Sequence, residues 1–225
     1  MDKQELKDLT VSIYDRLIRT IEKGDTEQAL ALIDEIERNK YDFDNAYRIN
    51  IDVLLKYIAD KLGEEALYEV HRLNGELAIW PRFGWAFDKN IPVEDKVRRR
   101  ARAWTDWHCI NIDEITEDAD KFSIRYTCPS GGTVRMWPER GKTKKGYPFS
   151  WGERGFAYYC LHCPVIFDIM SIERYGHQPW ITIQHPEGRC ELQLWKDPAR
   201  IPETYYQRVG MSKKAAGATP PGTPE

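Results

Sequence analysis

Apolar residues at the start of the chain recur with the spacing of a helix. Leu6, Leu9, Ile13, Leu17 and Ile21 fall three or four positions apart, which puts them on one stripe of a helix over residues 3–23, and Gly24 ends it. Asp25 with Gln28 three residues on makes a capping pattern, and Ala29, Leu30, Ile33 and Ile36 give the next helix its apolar face. A third helix is predicted over 43–62, stopped by Gly63, and a fourth from "EEALYEVHRL". Helices of this kind bury their stripes against one another or against the rest of the chain.

The pattern breaks at "AIWPRFGWAFDKNIP", residues 78–92, where two prolines, a glycine and four large aromatics interrupt the period and mark a domain boundary. "VEDKVRRRARAWTDWHCI" resumes as a helix, with Val93, Val97, Ala101 and Trp104 on one side and the arginines mostly on the other. From about residue 112 the period falls to two. Phe122, Ile124, Tyr126 and Cys128 share a strand face, and "PSGGT" is predicted to turn that strand back onto Val134 and Met136. Residues 138–155 lack either period and read as a long loop, a helix is predicted from Pro164 to Tyr175, and "WITIQ" and "CELQLW" form a second hairpin. The small, proline-rich tail from 211 reads as disordered.

These elements predict an α+β protein: a helical N-terminal half (1–90) packed on a small antiparallel hairpin-and-helix domain (91–210) with a cysteine-rich metal site, then the tail (211–225). The formal charge of −3 gives no overall field for nucleic acid or an anionic membrane. No apolar run approaches the roughly 18 residues of a membrane span, and "MDKQELKD" is charged where a signal peptide is apolar, so a cytoplasmic location is expected. Five cysteines are an odd number for a disulfide framework.

Four of them, Cys128, Cys160, Cys163 and Cys190, read C-x31-C-x2-C-x26-C. Cys128 and Cys190 end apolar strand faces, while Cys160 and Cys163 precede or open a helix whose N-terminus favours a thiolate. Three readings stand: a metal site, a redox dithiol at Cys160 and Cys163, or buried core cysteines. In the metal reading zinc is preferred to an iron–sulfur cluster. Four thiolates close the site, whereas a histidine or water in one position opens it to catalysis. His185, expected opposite Cys190 across the second hairpin, is the candidate fifth ligand, with His162 and His177 as further ones. Candidate acids and bases are His108 near a helix end, Glu153 in the long loop and Asp168 on the helix after Cys163, each with a plain structural alternative. "VRRRARAW" is a basic face that suits an anionic ligand, or solvated arginines paired with Glu94 and Asp95. Trp80, Phe83, Trp85, Phe87, Trp137 and Trp151 suit a ligand pocket or ordinary core.

The run "GFAYYCLHCPVIFDIMSIERYG...WITIQHPEGRCELQLWK" resembles the final segment of 4-vinyl-reductase-type domains and the related 2-amino-thiazoline-4-carboxylate hydrolase-like proteins, over about residues 105–197. The matching elements are Cys160, the helix after Pro164, and Gly188-Arg189-Cys190 leading into the last strand. The chain departs from that pattern in having His162 and Cys163, and Gln184 and His185 where a further cysteine is expected. The resemblance implies a small-molecule-binding α+β domain with a cysteine-rich metal site. One branch senses aromatic compounds and the other hydrolyses small rings. The expected function is a zinc-dependent hydrolase of a small organic molecule, with metal-activated water as nucleophile. The alternatives are a binding or sensor domain with a structural zinc, and a thiol oxidoreductase. The expected partner is a small-molecule ligand or substrate, without nucleic acid or membrane, and a homo-oligomer is compatible with the sequence.

Overall fold

Ser12 accepts a hydrogen bond from the backbone N–H of Asp15 and caps helix α1 (Ile13–Glu22) in the computed structural model, which describes residues 10–108, 110–128 and 134–213. Leu6, Leu9, Cys109, the "PSGGT" turn and the tail from 214 lie outside the described residues. Asp25 accepts from the N–H of Gln28, as the capping pattern predicts, and opens helix α2 (Thr26–Leu62). Here the prediction of two helices is corrected to one. The polar stretch around Asn39 to Asn45 interrupts the apolar stripe, but no glycine or proline lies between Thr26 and Leu62 to break the backbone.

The chain divides into two compact units, residues 1–47 and 48–225, with the division inside α2 rather than in the 78–92 segment. Within the first unit, Arg16 of α1 pairs with Glu35 of α2 at 3.1 Å. In the second, α3 (Glu65–Asn74) runs on without a stop into a wide π-type turn at Gly75–Ile79, a short helix at Trp80–Phe83 and a 3-10 turn at Gly84–Phe87. The wide turn sits where Gly75 meets Met170. A Cβ there would come within 2.8 Å of the methionine sulfur. The expected boundary segment is therefore part of the core, and Trp80 stacks on Phe87 and Tyr175 at 5.4 and 5.5 Å.

Helix α4 (Val93–Trp107) leads into a single four-stranded antiparallel sheet of β1 (Asn111–Glu117), β2 (Lys121–Thr127), β3 (Ile181–Gln184) and β4 (Arg189–Trp195), in the order β1-β2-β4-β3. The two predicted hairpins are thus joined through β2 and β4. The first is built differently from the prediction. Asp118 accepts from the N–H groups of Asp120 and Lys121 at 2.7 and 2.9 Å, an Asx turn that folds β2 back onto β1, while residues 134–136 form a helical turn. Phe122, Ile124 and Tyr126 of β2 stand opposite Leu194, Leu192 and Cys190 of β4 and make the buried face of the sheet.

The segment Cys163–Met170 is a buried π-type helix that touches β3 and continues into α5 (Ser171–Tyr175), ended by Gly176 in the left-handed conformation as the sequence suggests. The last short helix, α6 (Thr204–Gln207), precedes Arg208. The long loop after Pro138 is anchored by a buried carboxylate. Glu64 accepts from the N–H of Lys144 and from the hydroxyls of Tyr147 and Tyr158, the last at 2.7 Å. No helix among the described residues is long and apolar enough to cross a membrane.

A candidate thiol cluster

Three separate stretches of chain bring the four cysteines into one neighbourhood. Cys128 directly follows β2, Cys190 lies in β4, Cys160 sits in a 3-10 turn (Tyr158–Leu161), and Cys163 opens the π-type helix. None is in a disulfide. They lie within electrostatic range of each other, so that ionisation of Cys163, Cys128 or Cys190 opposes that of Cys160. Polar groups meet the sulfurs: the Tyr126 hydroxyl hydrogen-bonds Cys190, the Thr182 hydroxyl hydrogen-bonds Cys163, and Nε2 of His162 lies 3.4 Å from the Cys163 sulfur. The Nδ1–H of His162 donates to the carbonyl of Tyr159 at 2.6 Å, which leaves the Nε2 lone pair toward the thiol.

Burial dominates the electrostatics. It pushes the thiols of Cys163 and Cys190 up to about 12 and that of Cys160 well above its ordinary value. The expectation that the helix start favours thiolates at Cys160 and Cys163 is therefore corrected, because desolvation outweighs a single helix terminus. A redox dithiol needs the opposite shift. Two guanidiniums lie close by. Arg100 acts on Cys163 and Cys128, and Arg135 acts on Cys160 and Cys190. Arg100, three residues after Val97 and four before Trp104, falls on the apolar face of α4 rather than with the solvated arginines, and it is buried there with Trp104 and Trp180 each offering it a ring face at 4.4 Å.

His185 is not opposite Cys190. Its N–H bonds the carbonyl of Arg189, so Gln184 is the cross-strand partner of Cys190, and the exposed imidazole faces Glu191 at 3.5 Å. Glu191 follows Cys190 in the strand and so leaves the other face of the sheet. His177 donates to the carbonyl of Gln178. His108 is exposed at the end of α4, and Glu153 is exposed in the long loop with its carbonyl accepting from Ser150. Asp168 is fully buried, at 2.7 Å from both Trp151 Nε1 and Arg208. Burial raises its carboxyl to about 6 despite the arginine. Among the described residues no three His, Cys, Asp or Glu side chains make a ready metal-binding group. The four thiols share a neighbourhood without the convergence that coordination needs.

Trp80, Phe83 and Phe87 line a small apolar hollow with Phe167 and Trp180, and much of the space beside them is filled by their own stacking, Phe87 on Tyr175 at 4.0 Å. Trp85 lies against Arg99 and Trp137 against Arg140, while Trp151 serves Asp168 and Arg208. No protein-family model, curated protein or solved structure matches the chain.

Proposed function

We propose that Cys128, Cys160, Cys163 and Cys190 bind one zinc ion, and that the chain is a zinc–thiolate protein whose centre ties the ends of β2 and β4 to the Cys163–Met170 helix. The carrying observation is that four cysteines from three chain segments share one neighbourhood, with hydrogen bonds from Tyr126 and Thr182 to two of the sulfurs; to coordinate one ion their side chains have to turn toward a common point. Such bonds orient and tune thiolate ligands. Zinc suits four sulfurs, because it is borderline soft and takes them tetrahedrally. The buried thiols are neutral until the metal arrives, so binding releases protons and strengthens as pH rises. In this reading the zinc is structural, because four thiolates leave it no open position.

A zinc-dependent hydrolase of a small organic molecule is the second reading, and the observation that favours it is His162. This imidazole is kept neutral by burial and turns its Nε2 lone pair toward Cys163, which suits a metal ligand or a base. His108 and Glu153 are at the surface, and Asp168 is committed to Arg208, so His162 carries the catalytic case. Cobalt(II) substitution separates the two readings. A closed four-sulfur site gives the intense thiolate charge-transfer and tetrahedral bands, both insensitive to His162→Ala and to added azide. A band shift with either one identifies an open or histidine-containing site. Absence of thiolate bands contradicts both.

A further inference from the structure

Arg100 of α4 is a cation enclosed by aromatic rings, and only 7% of the residue is exposed. Its guanidinium carbon lies 4.4 Å from the ring centres of Trp104 and Trp180 and 5.3 and 5.8 Å from those of Phe83 and Phe167. Its Nε has no hydrogen-bond partner among the described residues, and neither has Nε1 of Trp180, a residue only 1% exposed. Both groups are donors and neither can accept. They lie together, because the guanidinium sits over the ring that carries this indole N–H. No carboxylate among the described residues pairs with Arg100. A guanidinium taken out of water needs acceptors, and ring faces offset only part of its desolvation.

Three of the rings around Arg100, those of Phe83, Phe167 and Trp180, also wall the apolar hollow, together with Trp80 and Phe87. Carbon lines the hollow, so the two donors stand beside it rather than within it. The indole N–H of Trp80 is unpartnered as well, but it is turned toward Gly75, where a Cβ would lie 3.3 Å from it. The hollow is narrow, with room for little more than a water, and Phe87 is already stacked on Tyr175 at 4.0 Å. Its weakest wall is Phe83, half-buried between the exposed Arg82 and Gly84.

We infer that Arg100 and Trp180 bind the carboxylate of a short-chain aliphatic acid, whose alkyl end enters the hollow as Phe83 moves aside. Two buried donors without an acceptor select an anion. Carbon walls next to them select an alkyl body over a bare inorganic ion, and the narrow room selects a short chain over a ring. Amino acids are rejected. The carboxylate nearest in sequence, Asp168, is paired with Arg208 at 2.7 Å, which leaves no partner for an ammonium group. The inference goes beyond the zinc–thiolate reading and does not rest on it.

The test uses the full chain with propionate, propionamide and alanine at constant ionic strength, read by tryptophan fluorescence and titration calorimetry. Propionate is expected to bind saturably, with a Kd of about 1 mM or below, and the neutral amide and the zwitterion at least about 10-fold more weakly. Arg100→Met keeps the bulk, removes the charge and the donors, and is expected to weaken propionate by about 30-fold or more. Phe83→Ala opens the hollow and is expected to turn the preference from propionate to pentanoate, which locates the alkyl chain even if Arg100→Met does not fold. Propionamide binding as well as propionate overturns the inference, because no anion is then being recognised. Absence of saturable propionate binding overturns it too. Wild-type propionate affinity in Arg100→Met, or an unchanged chain-length preference in Phe83→Ala, places the acid elsewhere and also overturns it.

Discussion

Tyr126 of β2 and Cys190 of β4 face each other directly across the central strand pair, and the tyrosine hydroxyl hydrogen-bonds the cysteine sulfur. The register that stacks Phe122 on Leu194 and Ile124 on Leu192 thus delivers a thiol at the end of the sheet's buried face. Tyr126→Phe keeps the ring, which lies 4.2 Å from that of Trp104, and removes only the hydroxyl. It is expected to cost about 1 kcal/mol of stability or less and to weaken zinc binding by about 10-fold. Urea unfolding and chelator competition measure the two effects separately.

Glu64 is the anchor of the long loop. Its buried carboxylate accepts the Lys144 N–H at 2.8 and 3.0 Å and two tyrosine hydroxyls, whose own ionisation burial and this carboxylate push upward. Glu64→Gln turns one acceptor into a donor facing donors. A loss of about 2–4 kcal/mol is expected, with protease sensitivity appearing between Pro138 and Gly155, checked by limited proteolysis and denaturant unfolding.

Asp168 stands as a structural ion-pair partner, not as a base. Asp168→Ala leaves Arg208 and the Trp151 Nε1–H without their shared acceptor and is expected to cost about 3 kcal/mol while zinc content stays at the wild-type value. If the variant is as stable as wild type, this assignment is wrong.

Acid sensitivity comes from His71. This buried imidazole donates to the carbonyl of Tyr158 at 3.0 Å, and burial, with His162 adding to it, lowers its pKa to about 3. The unfolded chain binds a proton at this residue below about 6.5, and the folded chain does not until about 3. Stability contributed by His71 is therefore complete above pH 6.5 and falls by about 1.4 kcal/mol per unit as pH drops through that window. Asp168 acts in the opposite sense. Its folded value of about 6 lies above the unfolded 3.8, so it costs stability above pH 6 and relieves that cost as pH falls toward 3.8. Comparing the urea midpoints of wild type and His71→Gln from pH 7 to 5 isolates the histidine. The variant is expected to be less stable at pH 7 and to have a flatter acid limb.

Much of the fold is legible in the sequence where the signal is local. The helix at "EEALYEVHRL", the stop at Gly176 and the strand faces of "KFSIRYT" and "CELQLW" follow from period and capping. The continuity of α2 is not, because a gap in an apolar stripe looks like a break while the backbone needs a glycine or proline to make one. The first hairpin misleads because "PSGGT" is the louder turn signal, although Asp118 beside Asp120 is an Asx-turn pattern visible in the sequence. The gathering of Cys128, Cys160, Cys163 and Cys190 can be read from strand faces and a helix start. Their partners are legible only in part: one residue of register decides between Gln184 and His185 opposite Cys190, whereas the spacing of Val93, Val97, Arg100 and Trp104 puts Arg100 on the inward face of α4. His162 carries a readable hint, a histidine between two cysteines.

The central claim is that the four cysteines hold one zinc. Metal content and free thiols, measured together on protein purified without added metal, test it most directly, with Cys163→Ser beside wild type. The expected result is close to one zinc per chain in wild type, four thiols that react only after chelation, and loss of the metal in the serine variant. Protein without metal, or zinc retained in Cys163→Ser with all other thiols freely reactive, would contradict it.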